Sequence, residues 1–404
     1  MQGGVIDFRP FLDIMGIYDA GLNGVSVNSQ GNPVNDKGLG VQVAGGISGT
    51  HSWKHIRLGL DYRASIRHYP NISFYDGTDQ TLGLSLTDRL SRHTTFSLRE
   101  SAGIFSNNFS SLGFSEAVPF DPAAAFIPRN DFFDNRTIYL STQADITVQK
   151  SARLSLDFGA DGFLQRRRSS ALFGVTGGGA RGDLQYRLTR RSTIGAGYTY
   201  THYSFTGILS STDLHGLVVT YAVRLSRNFE FSGYGGAMRA ETKFQQNVPL
   251  DPAVAAIIGV AFASEVAYRV DYVPNLAGRL AYTVQHGVFY ASGGHAITPG
   301  NGLFLTSSST NAGVGYGYTG FKHWSINASA GYNKSNSLGN VTGTYGSYQG
   351  SLNASRLLFR YTHGVISANF NRYDSGVFSN YNRWTYSIRM GLGFTPGDVP
   401  LRLW

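Results

Sequence analysis

Apolar and polar residues alternate with a period of two along almost the whole chain, in runs too long for an ordinary soluble sheet. Between 152 and 165, Leu154, Leu156, Phe158, Ala160 and Leu164 fall on one side, and Arg153, Ser155, Asp157, Asp161 and Gln165 on the other. Successive strand side chains point to opposite faces, so such a segment has one apolar and one polar face. Residues 56–67 repeat the pattern, with Ile56, Leu58, Leu60, Tyr62 and Ile66 against Arg57, Asp61, Arg63 and Arg67. So do 136–149 and 324–333, where Trp324, Ile326, Ala328, Ala330 and Tyr332 oppose Ser325, Asn327, Ser329 and Asn333. About eighteen runs of this kind can be counted, each roughly 10–16 residues; soluble strands average about five or six, whereas tilted strands of about 9–11 span a hydrocarbon core.

Composition supports a chain that crosses a membrane as strands. Charged residues make up 15% of the 404 residues, against about 25% in soluble domains. Aromatic and aliphatic residues run the whole length, which excludes a disordered chain. No apolar run approaches the length of a transmembrane helix, and the mean hydropathy of −0.15 is what alternating lipid-facing and water-facing residues average to. Cysteine is absent, which fits both an oxidising envelope and a cytosolic protein. Met1-Gln2-Gly3-Gly4 lacks the basic region and apolar run of a secretory leader. Export to an outer membrane requires one, leaving two readings: a mature sequence or a different compartment. The net charge is +9, but the arginines are spread along strands with no basic helix or tail, so no nucleic acid is expected as a partner.

The connections alternate in length. Short basic turns recur at Lys54-His55, Ser91-Arg92-His93, Lys150-Ser151, Arg190-Arg191-Ser192, Ser226-Arg227-Asn228, Phe321-Lys322-His323 and Thr362-His363-Gly364. Between them lie longer connections: 26–39, 69–79, 107–133, 205–212, 243–265, 295–308 and 335–343. Short turns on one side and long loops on the other describe an outer-membrane barrel. A propeller would show a blade-length repeat, and none is found. Two loops echo each other: Val118-Pro119-Phe120-Asp121-Pro122-Ala123-Ala124-Ala125 and Val248-Pro249-Leu250-Asp251-Pro252-Ala253-Val254-Ala255. Asp followed by Pro starts a helix. Each loop is therefore expected to carry a short helix whose apolar residues pack on the barrel wall, on each other or within the loop.

At the C-terminal end, Trp384, Tyr386, Ile388, Met390, Leu392 and Phe394 alternate with Thr385, Ser387, Arg389, Gly391 and Gly393. This resembles the final strand of bacterial outer-membrane β-barrels, chiefly the porin-like members. The resemblance implies that Trp384, Tyr386 and Phe394 form the signal read by the barrel insertion machinery. It departs from the family in the tail from Thr395 to Trp404, which makes Trp404 an alternative signal. Two prolines in that tail argue against a strand through it and favour Phe394. The expected fold is all-β: one transmembrane antiparallel up-and-down barrel of about 16–18 strands with short periplasmic turns and long extracellular loops. Residues 1–10 are expected as a lead-in, 11–394 as the barrel and 395–404 as a periplasmic tail.

Barrels of about 16–18 strands leave an aqueous channel, and alternation beginning near Phe11 leaves no room for an N-terminal plug. The expected lumen face carries Arg57, Arg63, Arg67, Arg89, Arg99, Arg153, Arg181, Arg187, Arg224 and Arg279, with Asp61, Asp145, Asp157, Asp161, Asp183 and Glu230. One reading is a basic pore that prefers anions; the other is that these charges pair and stiffen the wall. In the last third the inward residues are neutral: Asn311, Ser325, Asn327, Ser329, Asn333, Asn353, Asn369 and Asn371. In the porins this chain resembles, the loop after the fifth strand folds inward. The resemblance therefore makes 107–133 a constriction loop, with Glu116 and Asp121 facing the arginine wall. Trp53, Phe96, Trp324 and Trp384 are expected in the interfacial girdles. Glu100 falls on the apolar side of its strand, between Leu98 and Ala102, which a bulge, a shallow depth or a shifted register would explain.

No catalytic set emerges. His55, His93, His286, His323 and His363 sit in or beside short turns; His202, His215 and His295 lie near loop ends, within reach of Asp213 or Asp271, but no spacing fixes a triad. No metal-ligand spacing stands out, and Gly177-Gly178-Gly179 falls within a strand, where it permits curvature or close packing. The primary expectation is a non-enzymatic channel for small polar or anionic solutes, without cofactors. Its partners are outer-membrane lipid, the insertion machinery and its solutes, with a second copy or a loop-bound protein as further readings. The alternative is a structural or interaction barrel acting through its long loops, and a soluble β-protein stands third.

Overall fold

The computed structural model describes residues 6–22, 36–71, 76–105, 136–168, 172–300, 302, 304–338, 343–376 and 382–395. Eighteen strands follow one another: β1 Ile6–Leu22, β2 Asp36–Ser52, β3 Ile56–His68, β4 Gly77–Asp88, β5 Thr94–Phe105, β6 Thr137–Gln149, β7 Leu154–Arg167, β8 Gly174–Arg187 and β9 Ser192–Thr206. Then come β10 Ser210–Arg224, β11 Phe229–Pro249, β12 Phe262–Val284, β13 Gly287–Thr298, β14 Ser307–Tyr318, β15 Trp324–Ser337, β16 Thr344–Phe359, β17 Thr362–Ser375 and β18 Arg383–Phe394. Each pairs antiparallel with the next, and β1 pairs with β18 from Leu12–Phe394 to Ala20–Tyr386. The sheet is a closed meander. Closure matters because hydrocarbon offers no partner to an open edge, and each unsatisfied backbone group there costs several kcal/mol.

The period-two pattern sets the faces. Val41, Ile66, Phe158, Leu217, Leu276, Leu352 and Met390 project outward and are exposed on the isolated barrel. This inverted arrangement, apolar outside and polar inside, is that of a chain whose outer solvent is lipid. Aromatic residues gather at the short-turn rim, where the rings of Phe229 and Tyr282 lie 6.2 Å apart and those of Tyr318 and Phe321 5.1 Å apart. Trp324 sits at the same rim beneath the Arg356 guanidinium (5.4 Å). Trp384 takes the opposite rim, beneath Arg372 (5.3 Å).

The strands run further into the loop side than the sequence pattern indicates. The connection expected over 205–212 is a turn at 207–209, with Gly207 at φ 85°. The one expected over 243–265 is shortened to 250–261, since β11 and β12 pair from Phe229–Tyr282 to Pro249–Phe262. Polar and apolar residues mix on both faces of these upper strand ends, as at Lys243, Phe244, Gln245, Phe262 and Val266, so alternation fades there while backbone pairing continues. β1 likewise begins at Ile6, with Ile6 to Phe11 paired to β2.

At the tip of the β11–β12 hairpin the Asp-Pro signal produces a helix, α1, Pro252–Ile258. Asp251 caps it by accepting from the Ala253 N–H (2.8 Å), and Gly259 ends it at φ 74°. Its apolar residues do not pack down on the wall: none is buried, and Ile257 is 84% exposed. The matching segment around Asp121 lies outside the described residues, as do Glu116, the rest of the expected constriction loop and the tail beyond Thr395.

Candidate functional site: the inner face of the barrel

The inward positions of each strand line one continuous surface. Arg57, Asp61, Arg63 and Arg67 project inward from β3, Arg99 from β5, Asp145 from β6 and Asp157 from β7. Arg181 and Arg187 do so from β8, Arg224 from β10, Arg279 from β12, Asn327 from β15 and Asn369 from β17. Arg89 and Arg153 differ. Both lie in short turns, where the Arg89 N–H donates to His55 and the Arg153 carbonyl accepts from Arg187.

Many of these charges are paired, as the stiffening reading required. Asp61 and Arg63 are two residues apart on one face and meet through two hydrogen bonds of 3.0 and 3.1 Å. Arg269 and Asp271 repeat this arrangement on β12 at 2.9 Å, and Arg224 meets Glu230 of the next strand at 2.7 Å. Arg181 reaches across a whole strand: its guanidinium lies 2.6 Å from Asp145 of β6, passing over Gly159 of β7. A Cβ at Gly159 would stand 2.4 Å from the Asp145 carboxylate and 2.6 Å from Arg181 Nε, so the glycine opens the slot that the pair occupies. Asp157 accepts from the Thr147 hydroxyl at 2.5 Å.

Towards the loop side of β3 and β4 lies a buried pair, Arg67 and Asp79, 2.9 Å apart and almost without exposure. Beside it the Tyr69 hydroxyl donates to buried Asp19 of β1, and Arg389 of β18 is buried nearby. Asp19 and Asp79 escaped sequence reading because each sits near a strand end, where alternation is weakest. From β14 to β17 the inner face is neutral, as expected: Ser329 and Ser351 hydroxyls meet at 2.7 Å, and Ser309 donates to Asn333 (3.2 Å); β18 departs from this with inward, buried Arg389.

Sequence reasoning also missed an inward-turning connection. β12 and β13 pair only up to Leu276–His295; beyond that, among the described residues, β12 pairs with β11 and β13 with β14. The freed β13–β14 connection turns into the barrel. Phe304, Leu305 and Thr306 are buried, and Leu305 packs in a cluster with Val175, Tyr203, Phe205, Leu214, Met238 and Ala240 from the inner faces of β8 to β11. Thr306 Oγ1 lies 2.7 Å from Thr212 Oγ1 and accepts from Tyr203 at 3.5 Å. Gly177 in the glycine run makes room for this cluster, since a Cβ there would stand 2.6 Å from that of Tyr203. The available signal was Pro299-Gly300-Asn301-Gly302 followed by apolar Leu303-Phe304-Leu305: glycines for an unusual backbone, then residues that water does not favour. Gly300 is at φ 69° and Gly302 at φ 89°, and a Cβ on Gly300 would stand 2.2 Å from the Phe304 carbonyl.

On the outside, Trp384, Tyr386 and Phe394 share the lipid-facing side of β18, with Phe394 as its last residue. Of the histidines, His202 lies 2.8 Å from Asp213 and His215 2.8 Å from the Tyr198 hydroxyl, all on the outer face. Among the described residues no group of three or more His, Asp or Glu is placed to hold a metal ion.

A closed strand wall, an apolar outer belt and a polar interior together define an outer-membrane β-barrel. No family model matches the chain and no curated protein matches it. Among solved structures it is similar to Pseudomonas aeruginosa OccK5 (OpdH), with 13% identity, 96% of this chain and 98% of that one covered, and a TM-score of 0.43. It is also similar to OccK2 (OpdF) of the same organism in complex with glucuronate, at 12% identity, 98% and 99% coverage and a TM-score of 0.46. A third is Pseudomonas aeruginosa OpdK with vanillate, at 11% identity, 96% and 98% coverage and a TM-score of 0.43.

Proposed function

We propose that this barrel is a passive channel for small polar or anionic solutes. The observation that carries the reading is the inner face: charged and amide side chains line a closed wall of eighteen strands, a number at which barrels hold water rather than side chains alone. Paired acids tie down part of the arginine charge, while Arg57, Arg187 and Arg279 keep the inner face basic and favour anions. The segment 107–133, with Glu116 and Asp121, is proposed as one constriction. Trp384, Tyr386 and Phe394 are proposed as the insertion signal.

Single-channel recording in a planar bilayer with asymmetric salt tests this. Steady openings on the nanosiemens scale with a reversal potential on the anion side are expected. Arg63→Glu with Arg187→Glu should move the reversal potential towards cations; an unmoved potential would remove both residues from the conduction path. Deleting 112–128 should raise conductance. A second reading, an interaction barrel, is favoured by the uncovered apolar residues of α1. It requires a folded barrel that stays silent in the bilayer and a stoichiometric partner recovered from native membranes.

A further inference from the structure

The outer face of β9 to β12 changes character abruptly with height. Near the short turns it is apolar, with Ile194, Ala196, Leu217, Val219, Phe231 and Leu276 outward. Above that belt the outward positions become Tyr200 and His202 on β9, Asp213 and His215 on β10, Arg239, Glu241 and Lys243 on β11, and Tyr268 and Tyr272 on β12. The pairings Tyr200–His215, His202–Asp213, Asp213–Glu241, His215–Arg239 and Lys243–Tyr268 place them side by side. Arg239 stands ten residues along β11 from Phe229. At about 3.4 Å per residue and a tilt of about 40°, that is about 26 Å above the turn-side rim, at the upper edge of an apolar band about 25 Å tall. The patch therefore sits at the headgroup level of the outer leaflet and faces lipid.

Its internal bonds leave an excess of donors. Glu241 takes Arg239 at 2.8 Å and the Tyr268 hydroxyl at 2.6 Å. Asp213 takes His202 and the Tyr200 hydroxyl, both at 2.8 Å. Each carboxylate is thus engaged by two neighbours. A guanidinium carries five N–H donors and an ammonium three, so Arg239, 44% exposed and bonded to Glu241 through one nitrogen, and exposed Lys243 keep N–H groups turned to the surroundings. A planar fork beside a point cation suits phosphate oxygens. Flanking tyrosines, apolar in body and polar at the tip, suit the boundary between sugar and acyl chain.

We propose that this face binds the phosphorylated sugar headgroup of the outer-leaflet glycolipid, with Arg239 and Lys243 on phosphate and Tyr268 and Tyr272 against the sugar. The site lies on the opposite side of the wall from the lumen, so it stands or falls independently of conduction. The test uses the full chain in detergent micelles, titrated with bisphosphorylated lipid A, with the same lipid stripped of phosphate, and with phosphatidylcholine, and read by native mass spectrometry. Saturable binding of bisphosphorylated lipid A is expected, weakened about tenfold on removing its phosphates. Lys243→Glu and Arg239→Gln should each weaken it by a similar factor, whereas Arg356→Gln, at the opposite rim, should not. Lys243→Glu changes an exposed side chain, and an unchanged unfolding midpoint will show that the fold survives. Equal affinity for the dephosphorylated lipid, or full binding by both variants, would overturn the proposal. So would cross-linking of Lys243→Cys to a second copy of the chain in native membranes, which would make the face a contact between barrels.

Discussion

Glu100 projects outward from the middle of β5, between Leu84 of β4 and Thr142 of β6. The ladder through it is regular, with neither a bulge nor a shifted register, so a carboxyl group does face the membrane there. Thr142 Oγ1 donates to it at 2.9 Å, supplying one partner that lipid cannot. Acidic side chains on a barrel's lipid face destabilise less than basic ones but still destabilise. Glu100→Leu should therefore raise stability by about 1 kcal/mol, measured as the urea midpoint of protein folded into lipid vesicles; a lower midpoint would mean that Glu100 meets something other than acyl chains. Asp76, in the β3–β4 connection, presents the opposite case. Burial pushes its pKa up, but the Tyr69 N–H (2.6 Å) and His68 (2.7 Å) more than offset this and hold it below the ordinary carboxylate value. A depressed acid contributes stability above its unfolded pKa of about 3.9 and loses it as pH falls through the folded value. Exchange of the Tyr69 amide hydrogen should thus accelerate below about pH 4 relative to its intrinsic rate, and Asp76→Asn should abolish that dependence. Sequence alone placed Arg63 and Arg181 on the correct face but could not pair them, because the acid that Arg181 meets is set by the register of three strands and by the space at Gly159.

At the scale of elements, the β13–β14 connection shapes the interior. Its docking rests on Leu305 within the β8–β11 cluster and on the hydroxyl contacts of Thr306. Leu305→Ala should weaken that docking by about 2–5 kcal/mol. In single-channel records the variant should show a larger and noisier conductance, and an unaltered trace would place this segment clear of the solute path. Strand number, strand direction and the facing of most side chains were legible in the sequence because lipid imposes one strict alternation over a long band. Strand ends and inward connections were not. Above the membrane both faces meet water, so Asn247-Val248 or Ser264-Glu265 carry no period. The fate of an apolar loop such as Leu303-Phe304-Leu305 depends on which inner wall happens to be opposite.

For the whole molecule, the outward display of Val41, Phe158, Leu217 and Met390 means that water is the wrong solvent for the folded state. Chain diluted from urea should regain β-sheet circular dichroism and resistance to protease in micelles or vesicles and aggregate in buffer; refolding in buffer would restore the soluble alternative. The seam between β1 and β18 carries a further consequence. Its partners, such as Leu12 and Phe394, lie about 380 residues apart, among the most distant contacts such a chain can make. The ring therefore cannot shut until the far end of the polypeptide has emerged. Until then the growing sheet is an unfinished ribbon with two bare edges, each a template for any passing strand. Its safe assembly depends on something holding the first strand in reserve while the other seventeen are laid down.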